Sequence, residues 1–247
     1  TGVAFAVFLM FIEMGFLNGV YDSQTLLLSY LNADLVVVHR FREAVIPPRP
    51  IPRDRLERVR RFAGVQAVYP VCFELRAEWK SLNQRKDWVA VVGIDPDDDA
   101  LLLPELADWR DVLRTPDTAL VDRRARKFLG EMHPGLVGEL NGRKIRLGGE
   151  FTLGPDFIVD ARLIMSDRNF LTFFPDPDPL QSRLARVDIG LLRLNEDADP
   201  FAVQSFRASI FVPSGTVHCL LFTPHCSPPP PPPRPRAFLA PSPDPPP

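Results

Sequence analysis

TGVAFAVFLMFIEMGFLNGVYDSQTLLLSY, residues 1–30, decides how the rest of the chain is read. From Gly2 to Val20 it is a nearly unbroken series of Ala, Val, Phe, Leu, Ile and Met, and no Lys or Arg occurs before Arg40. At ~1.5 Å of rise per residue such a run makes a helix of roughly 28 Å, close to the hydrocarbon thickness of a bilayer. It reads as a membrane span. A signal peptide would need a basic leading region and a small-residue cleavage site, and neither is present. An amphipathic surface helix would need a polar face, which Ala4 to Ile12 lacks. A buried helix of a soluble domain stays open as the alternative, because Glu13 and Asn18 interrupt the run and an intramembrane carboxylate is costly. In a real span, Glu13 should face other helices rather than lipid. Past Val20 no helix breaker intervenes. Leu17, Tyr21, Leu27, Leu28 and Leu31 recur at three- and four-residue steps among Asp22, Ser23, Gln24 and Ser29, so the helix is expected to continue as a stalk.

Outward from that stretch, 247 residues are enough for a sizeable core in one or two domains. A formal net charge of -2 gives no electrostatic reason to expect nucleic acid as a partner. Cys72, Cys219 and Cys226 are too few and too irregular for a disulfide framework. Fourteen of the 28 prolines lie after Phe211, which divides the chain into two texts near residue 212.

Ala33 to Val38 reads as a short buried strand. Pro52 is placed to open a helix with Leu56, Val59, Phe62 and Ala63 on one apolar face, and Gly64 to stop it. Val65 to Phe73 starts a strand, continued by the alternation of Phe73, Leu75, Ala77 and Trp79 with Glu74, Arg76 and Glu78; Asp87 to Ile94 is another. From Asp95 to about Pro179 the pattern is mostly β and looks like an insertion. Asp108 to Leu113 and Asp122 to Leu129 read as helical or turn pieces, Leu136 to Leu147 as a hairpin turning on Asn141-Gly142, and Phe151 to Leu153 and Phe157 to Ile164 as strands. Arg186 to Leu194 is again a strand, and Asp199-Pro200 opens a helix with Phe201, Val203 and Phe206. The expected class is α+β. Residues 213–247, with six consecutive prolines from Pro228, are expected to be polyproline II or disordered, either as a natural linker or groove ligand or as the product of a lost reading frame.

The chemistry that could be sought is largely absent from this sequence. It has no phosphate-binding G-x-x-x-x-G-K-[ST] loop, no G-x-S-x-G, no H-E-x-x-H and no paired C-x-x-C. In Asp95-Pro96-Asp97-Asp98-Asp99, Ala100 stands where a calcium loop needs Gly and Leu106 where it needs Glu, so a solvated turn is the better reading. His218-Cys219 and His225-Cys226 are soft ligands without a supporting shell. The arginines of residues 53–61 are interleaved with Asp54 and Glu57 and read as a charge-laced helix face. No catalytic, cofactor-binding or metal-binding residue is assigned, no cofactor is expected, and the chain is read as a non-enzyme.

The order of these parts is similar to a known one. The first helix and stalk, NADLVVV, GVQAVYPV, VVGIDPDDD, NGRKIRLGGEFTLGPDF, IMSDRNFLTFFP and VDIGLLRLNEDADPFAVQ resemble the permease subunit of DevC-type ABC exporters, best known from cyanobacteria, within the MacB and FtsX superfamily. The resemblance runs from about Gly2 to Phe206. It implies a MacB-like periplasmic core behind a transmembrane helix and stalk (1–31). A mixed α/β porter-like subdomain (32–94 and 186–211) would carry an inserted β-rich sabre-like subdomain (95–185), ahead of a Pro-rich tail (212–247). It also implies an inner-membrane location with the main domain in the periplasm, in contact with membrane lipid, and a permease homodimer. The partners would be a separate ABC ATPase, a membrane-fusion adaptor and, through it, an outer-membrane channel. The cargo would be lipid or glycolipid-like. Family members continue to another strand and three further membrane helices where this chain has its tail, and the cytoplasmic N-terminal segment is missing, so a fragment is expected. The alternative is an FtsX-like, membrane-anchored periplasmic binding or signalling module without transport.

Overall fold

The computed structural model describes residues 2–39, 51–81, 86–154, 159–175, 186–198 and 217–221. Gly2–Ser29 is one 28-residue helix, α1. Its apolar stretch Gly2–Val20 is long enough to cross a membrane and has none of its length buried against the protein. Phe11 is 70% exposed and Val3 80%. The buried-helix alternative is therefore not what the fold adopts.

The rest is organised on one sheet of nine strands, and two helices begin where prolines or polar caps permit. Leu35–His39 (β1) pairs antiparallel with Ile189–Leu194 (β10). β10 pairs in turn with the first half of the 16-residue strand Val65–Lys80 (β3). Ile51–Pro52 (β2) and Arg186–Val187 (β9) form a small separate pair. Asp188 interrupts the β9–β10 run: its buried carboxylate accepts from Phe73 N at 2.8 Å, so the chain kinks around a hydrogen bond rather than continuing the ladder. Helix α2, Arg53–Val59, starts after Pro52 as its sequence predicts, and lays Leu56 and Val59 over β1, β3 and β10. Gly190 permits this approach: a Cβ there would lie 2.4 Å from Leu56 Cδ1. Ala63, expected on the same face, is exposed.

Beyond a register irregularity between Glu74 and Ala77, the second half of β3 pairs with Lys86–Ile94 (β4). From there the pairing runs to Arg162–Ser166 (β8, parallel to β4), Thr118–Asp122 (β5, antiparallel to β8), Arg143–Phe151 (β7, parallel to β5) and Val137–Leu140 (β6). β6 then meets the end of β3 at Trp79↔Leu140. Six strands thus close into a ring, which removes the open edges that a sheet would otherwise expose. Every strand of the ring sends side chains into one core: Trp79, Val91, Met165, Val121, Leu147 and Leu140 are each at most 1% exposed. Gly138 makes room for the largest of them, since a Cβ there would stand 2.3 Å from the Trp79 ring.

The hairpin turns where expected, with Asn141 at φ 48° and Gly142 at φ 77°, the positive pair that a two-residue turn between twisted strands requires. Several expectations are corrected. Asp122, read as opening a helical or turn piece, instead ends a strand, Thr118–Asp122, with all five residues buried. Phe151 ends β7, so 151–153 is not a separate strand. The strand expected from Phe157 starts at Arg162, and residues 155–158 lie outside the described residues. Asp167–Phe173, given no element of its own within the stretch read as mostly β, is a helix, α4, capped by the Ser166 side chain, which accepts from Asn169 N. Within the region expected to be irregular from residue 212, Val217–Leu221 is a strand, β11, antiparallel to β1 on the sheet's outer side. The helix expected from Asp199-Pro200 and the remainder of the tail lie outside the described residues.

Candidate functional site: the seat of the stalk

α1 meets the domain through its last turn. Leu26, Leu27, Tyr30 and Leu31 pack on a core built from Val36, Ile94, Leu101, Leu103, Phe151 and Leu153. These residues come from the end of β4, the loop after it, the end of β7 and the beginning of β1. A 3-10 turn, Pro104–Trp109, and the short helix α3, Arg110–Arg114, close over them with Leu106 and Leu113. The glycines of β7 allow that lid to lie close, since a Cβ on Gly149 would sit 2.5 Å from the Trp109 ring.

Main-chain hydrogen bonds convert this contact into a joint. Leu102 N donates to Tyr30 O at 2.7 Å and Asn32 N to Ala100 O at 3.0 Å, around a Leu31↔Leu101 bridge. The Asn32 side chain adds a bond from Nδ2 to Asp99 O at 2.9 Å. Two residues on, Asp34 fixes the start of β1: its carboxylate accepts from Leu194 N at 2.8 Å and pairs with Arg193 at 3.1 Å. The far wall, residues 152–154, is held by buried Asp122, which accepts from Gly154 N at 2.6 Å and Leu153 N at 3.3 Å. Arg162 Nη1 donates to Gly154 O at 2.6 Å. Gly154, at φ +113°, lies within reach of Leu26.

The acidic run of residues 95–99 turns out to belong to this joint. Asp95 Oδ1 accepts from Asp97 N, Asp97 pairs with Arg114, and Asp99 pairs with Arg110 at 2.5 Å. The three acids therefore brace the loop that grips the stalk. Burial pushes the Asp98 carboxyl up to about 6, and the charge of Asp95 adds to that, while Arg60 and Arg53 pull it down. Beside the loop is a cavity of about 300 Å³ lined by leucines 101–103, Leu106 and Leu113, with Asp98, Asp99 and Arg110 also on its wall.

Cys72 is buried and its thiol is pushed up to about 12, chiefly by desolvation and then by Asp188, so it carries almost no thiolate near neutrality. Among the described residues no three His, Cys, Asp or Glu side chains are grouped to hold a metal. His218 and Cys219 fall in β11 opposite Val38 and Val37, and His225 and Cys226 lie outside the described residues. Three arginines in and just after α2 are paired: Arg58 with Asp54, Arg60 with Glu57, and Arg53 with Asp167. What the geometry does offer is a rigid connection between a long apolar helix and a β-rich body. Sequence reasoning expected the stalk but not its seat, because the seat gathers side chains from segments far apart in the chain and backbone atoms of residues 99–102.

No family model matches this chain, and no curated protein does. Among solved structures, the periplasmic region of MacB from Actinobacillus actinomycetemcomitans matches with a TM-score of 0.50 at 13% identity, over 77% of this chain and 90% of that one. The extracellular domain of YknZ, a noncanonic ABC-type transporter of Gram-positive bacteria, matches with a TM-score of 0.45 at 10% identity, over 70% and 88%. An apolar N-terminal helix seated on a mixed α/β body thus has, in this chain, the fold of a MacB periplasmic region.

Proposed function

We propose that the chain is the membrane-anchored periplasmic part of an ABC exporter permease of the DevC and MacB kind, acting mechanically rather than catalytically. The observation that carries this reading is the continuity of α1. A 19-residue, mostly apolar stretch without burial runs with no break to Ser29, and Tyr30 and Asn32 just beyond it are hydrogen-bonded to the domain. About eleven residues, or ~16 Å, separate the end of the apolar stretch from the seat, so a tilt of the helix in the membrane must move the body to which it is fixed. In this reading a separate ATPase drives the tilt. The periplasmic body passes it to a membrane-fusion adaptor and an outer-membrane channel, two permease copies work together, and the cargo is lipid-like.

The test begins with location. Membranes of cells expressing the full chain should retain it through an alkaline carbonate wash, and protease added to spheroplasts should digest the β-rich body. Recovery in the wash, or protection from external protease, would overturn the reading. Co-expression with the ABC ATPase and adaptor encoded nearest to it should then yield a complex that survives detergent extraction. A chain that anchors and faces outward but binds neither would favour the FtsX-like module instead.

A further inference from the structure

Glu13 is exposed in the middle of the apolar stretch, and its carboxylate meets no donor among the described residues. An ionised carboxylate in hydrocarbon rarely faces lipid, because nothing there replaces its lost water. Its place on the helix says where a partner would lie. Steps of seven residues return to nearly the same side of a helix, drifting by only ~20° each time. Glu13, Val20 and Leu27 are one such series, and Ala6, Met10 and Leu17 fall beside it. Leu27 is one of the residues with which α1 packs on the domain, while Leu26, its neighbour there, lies on the side of Gly15 and Gly19. The carboxylate of Glu13, rather than the packed end of the helix, therefore marks the face.

We propose that Ala6, Met10, Glu13 and Leu17 seat a second transmembrane helix that presents a cationic side-chain donor to the Glu13 carboxylate. This rests on the reading of Gly2–Val20 as a membrane span. Small Ala6 lets another backbone approach, and the carboxylate selects what approaches. A second copy of α1 would bring Glu13 against Glu13, so charge complementarity favours a helix bearing Lys, Arg or His. A different seat exists on the opposite side, where Gly15 and Gly19 have nothing within 4 Å of a built Cβ. Within the apolar stretch that side carries no carboxylate, and its polar group is the neutral amide of Asn18.

The experiment reconstitutes the full chain, labelled with a donor dye, in phosphatidylcholine vesicles with an acceptor-labelled polyleucine transmembrane peptide carrying one lysine at its midpoint. Energy transfer to the lysine peptide should exceed that to an all-leucine peptide by about tenfold in apparent association. Glu13→Leu should abolish the excess, Glu13→Gln should keep part of it through its remaining carbonyl acceptor, and Gly15→Leu should leave it unchanged. Equal transfer to both peptides, loss with Gly15→Leu but not with Glu13→Leu, or stronger transfer between two copies than to the lysine peptide would each overturn the proposal. A chain that washes off the vesicles in alkali overturns the membrane span and this proposal together, whereas a chain that stays and ignores the lysine peptide overturns this proposal alone.

Discussion

The two ends of α1 are built from the same kinds of residue and live in opposite surroundings. Between Gly2 and Gly19 every side chain is exposed, Phe8 and Phe16 at 60% and 62%. A few turns later, Leu26, Leu27, Tyr30 and Leu31 are partly buried on the domain core. Apolarity alone therefore does not say where a helix belongs. The upper end is held by side chains and backbone groups that exclude water from it, and the lower end has no such cover among the described residues.

Substitutions can break that comparison. The largest effect is expected at the wall of the seat: Phe151, fully buried, should cost about 3–5 kcal/mol when changed to Ala, read as the midpoint of urea unfolding in detergent. Phe8→Ala, at the other end of the same helix, should stay within ~0.5 kcal/mol by the same reading. Equal losses at the two positions would mean that the lower end is also packed in the folded protein.

A smaller loss sharpens the comparison from the backbone side. Asn32→Ala removes the bond to Asp99 O and should cost about 0.5–1.5 kcal/mol, with faster hydrogen exchange at the amides of Asn32 and Leu102 and no change in the ring of six strands. Unchanged exchange would show that the side chain adds nothing to the joint.

A small, pH-dependent effect is expected at Asp98. Its carboxyl is raised in the fold, so between the unfolded value near 4 and about 6 the folded state holds more protons than the unfolded one, and stability falls as pH rises through that window. Above about 6 the ionised form is fully penalised, and below about 4 the penalty is gone. Because Asp98 is only partly buried, screening should hold the effect to roughly 1 kcal/mol or less. Asp98→Asn should flatten the slope between pH 4 and 6 and raise the melting temperature slightly at pH 7. A slope unchanged by the substitution would assign it to other groups.

Much of this architecture could be read from residues alone, for identifiable reasons. A 19-residue apolar run, an Asn-Gly turn and the alternation of Trp79 with Glu78 are local signals, complete within a few residues. Thr118–Asp122 escaped because all five residues are buried, which leaves no alternation to detect, and because its neighbours β7 and β8 are fixed by parallel and long-range pairing. α4 escaped because seven residues are too few for a helical period, and its start depends on one Ser166 hydroxyl. β11 was hidden by the prolines around it, which dominate composition without entering Val217–Leu221. The closure of the ring at Trp79↔Leu140 joins positions some sixty residues apart, and the seat joins Asn32 to Ala100 through main-chain atoms that carry no side-chain signature.

The pairing of β1 has a consequence in time. Its partners are β10, some 157 positions later at Leu35↔Leu192, and β11 beyond it, so both of its sides stay open while most of the chain is still being made. At roughly 5–20 residues per second, that interval is on the order of 10–30 s. α1 comes before β1 in the chain and is made ahead of it. This β1 edge therefore waits, tethered to α1, for strands that do not yet exist, and a nascent chain of this kind must be sheltered from edge-to-edge pairing with its neighbours until β10 arrives.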